Sequence, residues 1–313
     1  MVFSIRGSGW VEVSVGSRKT FSSSWEPAQS HGTPRTGILR RLLKSRTAIV
    51  SLTLAVSIAL IALTVPLLPL QDPLLPDYDQ MMQAPSSGHL LGTDLHGRDQ
   101  LSRLLWASRT SLLVGIVATF LAVSAGVVIG GIAGYSISFI DSLLMRISDI
   151  FLSFPAILGA IAIMAIFGPG RQNIFFAIAL FTWPVFARLF RSTILSVKER
   201  TFVQAARVLG ASNMRIFLRH VMPNSAGPLV AYTSMAVAGA ILAEAGLSFI
   251  NLGVQRPNPS WGMMLAESMG QFEQAPWLIL VPGIAVTMTA LAFILLGVAV
   301  SSVIDGRNER AYL

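Results

Sequence analysis

The sequence predicts an all-α polytopic membrane protein with about six transmembrane helices. Long apolar runs and scarce charge carry that expectation. Of 313 residues, 53% are hydrophobic and only 12% charged, where soluble domains average roughly 25% charged. Mean hydropathy is +0.66. A bilayer core about 30 Å thick needs roughly 20 apolar residues per helix, and runs of that length recur along the chain. Lipid, rather than a packed globular core, is therefore expected to cover most of the apolar surface. No stretch is left for a soluble catalytic domain.

Taken in order, residues 1–47 are polar and rich in Ser, Gly and Arg, without sustained periodicity. They read as a disordered tail. Its last part, Gly37–Arg46, is a short basic amphipathic stretch suited to a membrane surface. Spans are expected at about Ala48–Leu68, Ser111–Tyr135, Ile150–Phe167, Ile174–Phe190, Leu229–Ile250 and Pro276–Ile304. Together they make a membrane domain over 48–304, interrupted by a long loop at 191–227 and followed by a short C-terminal segment, 305–313. The third and fourth spans form a hairpin broken at Gly168–Asn173, and the fourth contains Pro184 and Arg188. The first apolar run lies too far from the N-terminus, and is too long, for a cleaved signal.

Basic residues set the orientation. The tail carries Arg6, Arg18, Lys19, Arg35, Arg40, Arg41, Lys44 and Arg46; the 191–227 loop carries Arg191, Lys198, Arg200, Arg207, Arg215 and Arg219. Six spans put both segments on one side, with the C-terminal Arg307 and Arg310. The segment between the first two spans holds Asp72, Asp77, Asp79, Asp94 and Asp99 instead. Both termini are therefore expected in the cytoplasm. The net charge of +8 is explained by topology, and no nucleic-acid partner is expected. The chain has no cysteine, which excludes disulfides and thiolate metal sites.

The 191–227 loop is the most informative segment. Glu199–Leu209 has Phe202, Ala205, Ala206 and Leu209 at helical spacing. Gly210 suits a left-handed helix end, and Ser212 can cap a second helix over Asn213–Val221. Met222–Pro223–Asn224 is expected to stop it. Such an elbow is either a docking element for a soluble partner or an amphipathic hairpin lying on the membrane.

The residue order QAARVLGASNMRIFLRHVMPN resembles the cytoplasmic signature loop of ABC-importer permeases. The match falls on Gln204, Ala205, Ala206, Gly210, Ile216 and Pro223, with Gln204 where the signature has Glu. The resemblance implies a role in ATPase coupling for Gln204, Ala205, Ala206, Gly210, Ala211, Ser212 and Pro223. A second segment, 90–115, is similar to the region before the second span in the second-permease type of the peptide/nickel subfamily. It carries Gly92, Thr93, Asp94, Gly97, Arg98 and Asp99, then Ser102, Arg103, Arg109, Ser111 and Leu112. Further matches are Met145–Arg146 with Asp149, Phe154–Pro155, Phe167–Gly168–Pro169 and the run 241–265. The resemblance covers about residues 40–297; beyond it, the family's Gly-rich ending is missing, although Asp305 remains.

What the resemblance implies is a type I ABC-importer permease fold in a prokaryotic cell membrane, with alternating access driven by partners. Those partners are a second permease forming a heterodimer, two ATPase subunits and an extracytoplasmic substrate-binding protein. Di- or oligopeptides lead as substrates, with nickel, haem or glycosides as alternatives. The chain itself is expected to be non-catalytic and without cofactor. Its lysines are Lys19, Lys44 and Lys198, and none sits in the Gly-rich turn that a phosphate loop requires. ATP and Mg²⁺ would therefore be bound by the partners. His31, His89, His96 and His220 form no zinc-binding spacing. Glu244, within the fifth span, is either a pathway residue or a carboxyl satisfied by a neighbouring helix. Asp149 and Arg146, at the cytoplasmic mouth of the third span, are either pathway residues or an interfacial ion pair. An ion-coupled secondary transporter would show inverted repeats and paired intramembrane charges; a membrane-embedded enzyme would need a nucleophile and base on facing spans. Neither pattern is legible.

Overall fold

The computed structural model describes residues 45–304. The basic tail, most of its amphipathic stretch, and the C-terminal segment lie outside the described residues. Within them every regular element is helical, apart from an isolated bridge between Thr93 and Asp99.

Helix α1 spans Arg46–Thr64, capped by the Ser45 hydroxyl, which accepts from the Ala48 N–H at 3.3 Å. Pro66 then turns the chain into a short 3-10 segment, Val65–Leu67. Helix α2, Gln100–Tyr135, is 36 residues long and begins well before Ser111. Asp99 starts it by accepting from the Ser102 N–H at 2.7 Å. The apolar window seen in the sequence is thus only the membrane-depth part of a longer helix.

The expected third span is divided. Helix α3 covers Ser138–Leu152 and α4 covers Ala156–Phe167, with an 81° bend between them. Pro155 disfavours helical geometry at Phe154, which places the break there. At 12 residues, α4 is only about 18 Å long, too short to cross a bilayer unaided. Helix α5, Arg171–Lys198, runs through Pro184 without a break. Among the described residues five helices are long and apolar enough to cross a membrane, and six if the α3–α4 pair counts as one span.

After α5 come α6, Thr201–Val208, and α7, Asn213–Ile216. The expected stop at Met222–Pro223–Asn224 does not occur. A π-turn over Phe217–Val221 carries α7 directly into α8, Met222–Phe249. In a regular α-helix the Pro223 ring would meet the carbonyl four residues back. The wider turn, in which the Met222 N–H reaches the Phe217 carbonyl, accommodates it. Helix α9, Trp261–Ser268, is capped by Ser260, and α10, Trp277–Ile304, closes the described chain.

The α2–α5 seam is the most extensive helix–helix contact among the described residues. Gly126, Gly130 and Gly134 lie four residues apart on one face of α2. They meet Phe186 and Trp183, the Ala187 backbone, and Ile194 of α5, respectively. Small residues let membrane helices approach closely enough for dispersion and Cα–H···O contacts to hold them. Around this seam the buried Phe186, Phe190, Ile194, Val203, Ile216 and Val221 form a core next to the elbow. Leu112, Ile241, Trp261, Met264 and Val286 form another at the opposite end.

A Cβ at Gly130 would overlap the Ala187 backbone, whereas one at Gly239 meets nothing within 4 Å. Gly130→Leu is expected to destabilise the detergent-solubilised protein by about 3 kcal/mol, and Gly239→Ala to leave it within about 1 kcal/mol of wild type. Thermal unfolding followed by tryptophan fluorescence checks both; a wild-type midpoint for Gly130→Leu would rule out the close approach.

Candidate functional site: an elbow and an ion-paired cap

The elbow begins where α6 ends. Gly210 has φ +78°, in the left-handed region. Its N–H donates to the Arg207 carbonyl at 3.0 Å, and the Ala211 N–H donates to the Ala206 carbonyl at 3.1 Å. These two bonds make a Schellman end, with Ala206 and Ala211 as the apolar pair that closes it. Ser212 occupies the N-cap position of α7 with extended backbone, but its hydroxyl makes no capping bond. The side-chain cap expected there does not form.

Buried side chains fix the elbow to the bundle. Val203, Ile216 and Val221 are fully buried against α5. The Tyr135 hydroxyl, at the end of α2, donates to the Asn213 carbonyl at 3.0 Å, and the Tyr135 ring lies 5.0 Å from that of Phe217. The opposite face is open and apolar. Val208 is 88% exposed and Leu209 86%, with Phe202, Met214 and Leu218 exposed beside them. Gln204, Ala205, Gly210 and Ser212 lie on the outside, Ala206 and Ala211 are half-buried, and Pro223 is exposed at the start of α8. Sequence reasoning missed Val208 and Met214, whose signal was apolar residues clustered at the corner of a basic loop.

At the other end of the bundle, residues 65–99 and 250–276 form a cap. Gly92 and Gly97 have φ +75° and +74°. A Cβ on either would overlap a backbone carbonyl, of Gln83 and Asp77 respectively. The Thr93 hydroxyl donates to the Gln80 carbonyl and accepts from the Gln83 N–H. Asp94 accepts from Arg98 Nε at 2.7 Å and Arg103 Nη1 at 2.5 Å. Glu267 accepts from Arg98 at 3.1 Å, Arg103 at 2.7 Å and Arg256 at 2.9 Å. His89 bridges Asp99 at 3.0 Å and Gln80 at 2.7 Å. The motif residues therefore build one buried network, and Arg103, 1% exposed, is its centre. Glu267 was missed; its signal was a lone acid in the apolar run 261–268.

Glu244 is fully buried. Its carboxylate accepts from Ser111 of α2 at 3.0 Å and Ser248 of α8 at 2.7 Å. Ser111 and Ser248 in turn accept from the Trp261 and Val254 N–H groups. The group thus ties two spans to the start of α9. Asp149 pairs with Arg188 of α5, not with Arg146. Nearby, Asp141 makes a two-pronged pair with Arg191 at 2.5 and 2.6 Å. Arg146, three residues before Asp149 on α3, is close enough to compete, but Arg188 reaches Asp149 from α5 across the α3–α5 contact. No group of three or more metal-ligating side chains is present among the described residues.

The family described as binding-protein-dependent transport system inner membrane component matches residues 126–310. The N-terminal TM domain of oligopeptide transport permease C matches residues 33–85. The chain is 40% identical over 270 residues to the dipeptide transport system permease protein DppC of Alkalihalophilus pseudofirmus, covering 86% of this chain and 89% of that one. It is 38% identical over 274 residues to the glutathione transport system permease protein GsiD of Pectobacterium atrosepticum, covering 87% and 91%. The fold is similar to that in an inward-facing structure of the methionine ABC transporter MetNI, with a TM-score of 0.51 and 17% identity over 63% of this chain and 96% of that chain.

The Glu244 geometry predicts that Glu244→Gln, which keeps an acceptor for the serines, unfolds within about 1 kcal/mol of wild type. Glu244→Leu leaves buried hydroxyls unpaired and is expected to cost about 3 kcal/mol. Thermal unfolding of the two variants checks this. Equal midpoints would show that the serines do not depend on the carboxyl.

Proposed function

The chain belongs to the family of binding-protein-dependent transport system inner membrane components, and from that premise we propose that it is one of two permeases in an importer of di- and oligopeptides. Membership makes it a multi-pass inner-membrane transport permease of a class that works with ATPase and substrate-binding partners. It also disfavours the readings as an ion-coupled transporter or a membrane-embedded enzyme. The peptide assignment rests on the dipeptide and glutathione relatives. In this reading the partners are a second, different permease, two ATPase subunits and a soluble binding protein. ATP and Mg²⁺ belong to the ATPases, and this chain holds no cofactor and carries out no catalysis.

The observation that carries the mechanism is the elbow's construction. An exposed apolar corner at Phe202, Val208, Leu209 and Met214 supplies the docking surface for an ATPase. The Schellman turn at Gly210 sets the angle between its arms. The second arm continues through the π-turn into α8, so displacement of the docked corner is delivered to a span rather than absorbed by a loop. Closure of the ATPase pair on ATP then tilts α8, and the spans exchange inward and outward access. Gln204 in place of the signature Glu is compatible with this, because shape and apolar area dominate the contact.

The elbow and both termini face the cytoplasm in this reading, and the ion-paired cap faces outward. A reporter active only outside the cytoplasm should be active when fused after Asp77 and silent after Ala211; the reverse pattern would overturn the orientation.

Gly210 has open space around it, so a substituent there acts through its positive φ and not through a clash. Gly210→Val should leave the spans inserted but misdirect α7. In the reconstituted complex, ligand-stimulated ATPase and peptide uptake are expected to fall about tenfold or more relative to wild type. Ala205→Glu should act alike by placing a charge on the docking face. Wild-type values for both variants would sink the coupling role.

A further inference from the structure

A cleft of about 380 Å³ opens at the outer end of the bundle, between the α4–α5 turn and the loop that follows α8. Its lining includes Arg171, Gln172, Gln255, Arg256 and Asn258, with no acidic side chain. Arg171 is exposed and makes no ion pair among the described residues. Arg256 uses its Nε on Glu267, but a guanidinium carries five donors. The first N–H groups of α5 lie at the same place. Gly170, in the N-cap position, offers no side chain to satisfy them, and the helix dipole adds positive potential there. The same three helices bound a separate apolar groove of about 370 Å³, lined by Ala156, Ala160, Tyr232, Ala236, Gly239 and Ala243 among others.

We propose that this cleft is a carboxylate-binding site, and that its ligand is the C-terminal carboxylate of the transported peptide. Two arginines line a small polar cleft, a chemistry suited to a carboxylate, with the neutral amides of Gln172, Gln255 and Asn258 available for the adjoining peptide bond. The size lies within the usual range for small-molecule sites. Arg256 gives the site a second property, because it also contacts the Glu267 network that joins the cap to α2. With its Nε on Glu267, Arg256 keeps its other N–H donors for a carboxylate in the cleft, so one guanidinium links the cleft to the cap. The peptide as source rests on the proposed transport function; the carboxylate chemistry rests on the cleft alone.

The test uses the complete transporter in lipid nanodiscs, with saturation-transfer NMR and dialanine as probe. Dialanine should bind wild type, and its C-terminal amide should bind about tenfold more weakly or worse. Arg171→Gln should weaken dialanine by a similar factor, and Arg171→Lys, which keeps the charge but loses the planar fork, should restore only part of it. Arg171 is exposed, so the unfolding midpoint of both variants should equal that of wild type. Unchanged dialanine binding in Arg171→Gln overturns the proposal. So does equal displacement by inorganic phosphate, which would mark a general anion site. A third overturning result is loss of affinity for the unliganded binding protein with dialanine binding intact, because the cleft would then be holding an acid of that protein. Failure of the transport reading is separate: wild type would bind dialanine through Arg171 yet show no ATP-driven dipeptide uptake.

Discussion

The close approach of α2 and α5 is the constraint on which the rest of the structure hangs. Between apolar helices in lipid there is no hydrophobic drive to associate, so contact must come from fit. Gly126, Gly130 and Gly134 supply it by letting the α5 backbone at Ala187 sit against α2. Once those helices touch, their ends are placed. The end of α2 holds Asn213 through Tyr135, and the end of α5 holds α3 through the Arg191–Asp141 pair. The elbow is thereby attached to the two most firmly joined helices of the bundle. The start of α2 organises the opposite cap through Asp99 and Arg103.

Polar groups are handled differently at the two ends. In the Asp94–Arg98–Arg103–Glu267 network of the cap, charges are buried, but each has an opposite charge within reach, so the desolvation cost is offset by short ion pairs. At the elbow, charge is left in solvent and apolar surface is exposed.

Much of this was legible in the sequence, and the reasons differ by element. Apolar length located the spans, because lipid imposes a length of helix. The left-handed end at Gly210 was legible because backbone sterics single out glycine there. Helix ends were less legible. Gln100–Leu112 contains Arg103 and Arg109, and only the three-dimensional network explains how an arginine is accommodated in a buried helix. Pro223 resembled a stop because a π-turn has no compositional mark. The partner of Asp149 was misjudged because helical neighbours are visible in sequence and partners across a helix contact are not. The Gly126–Gly130–Gly134 spacing was readable in the sequence but says nothing about which helix it faces.

The bare corner of the elbow has a consequence for the life of the chain before assembly. A newly made copy presents Val208 and Leu209 almost wholly to water, beside further apolar side chains, and such patches drive self-association. Where an ATPase covers that corner, as proposed, solubility at the surface depends on subunit stoichiometry, and a cell making this chain in excess over that partner would carry an aggregation-prone orphan.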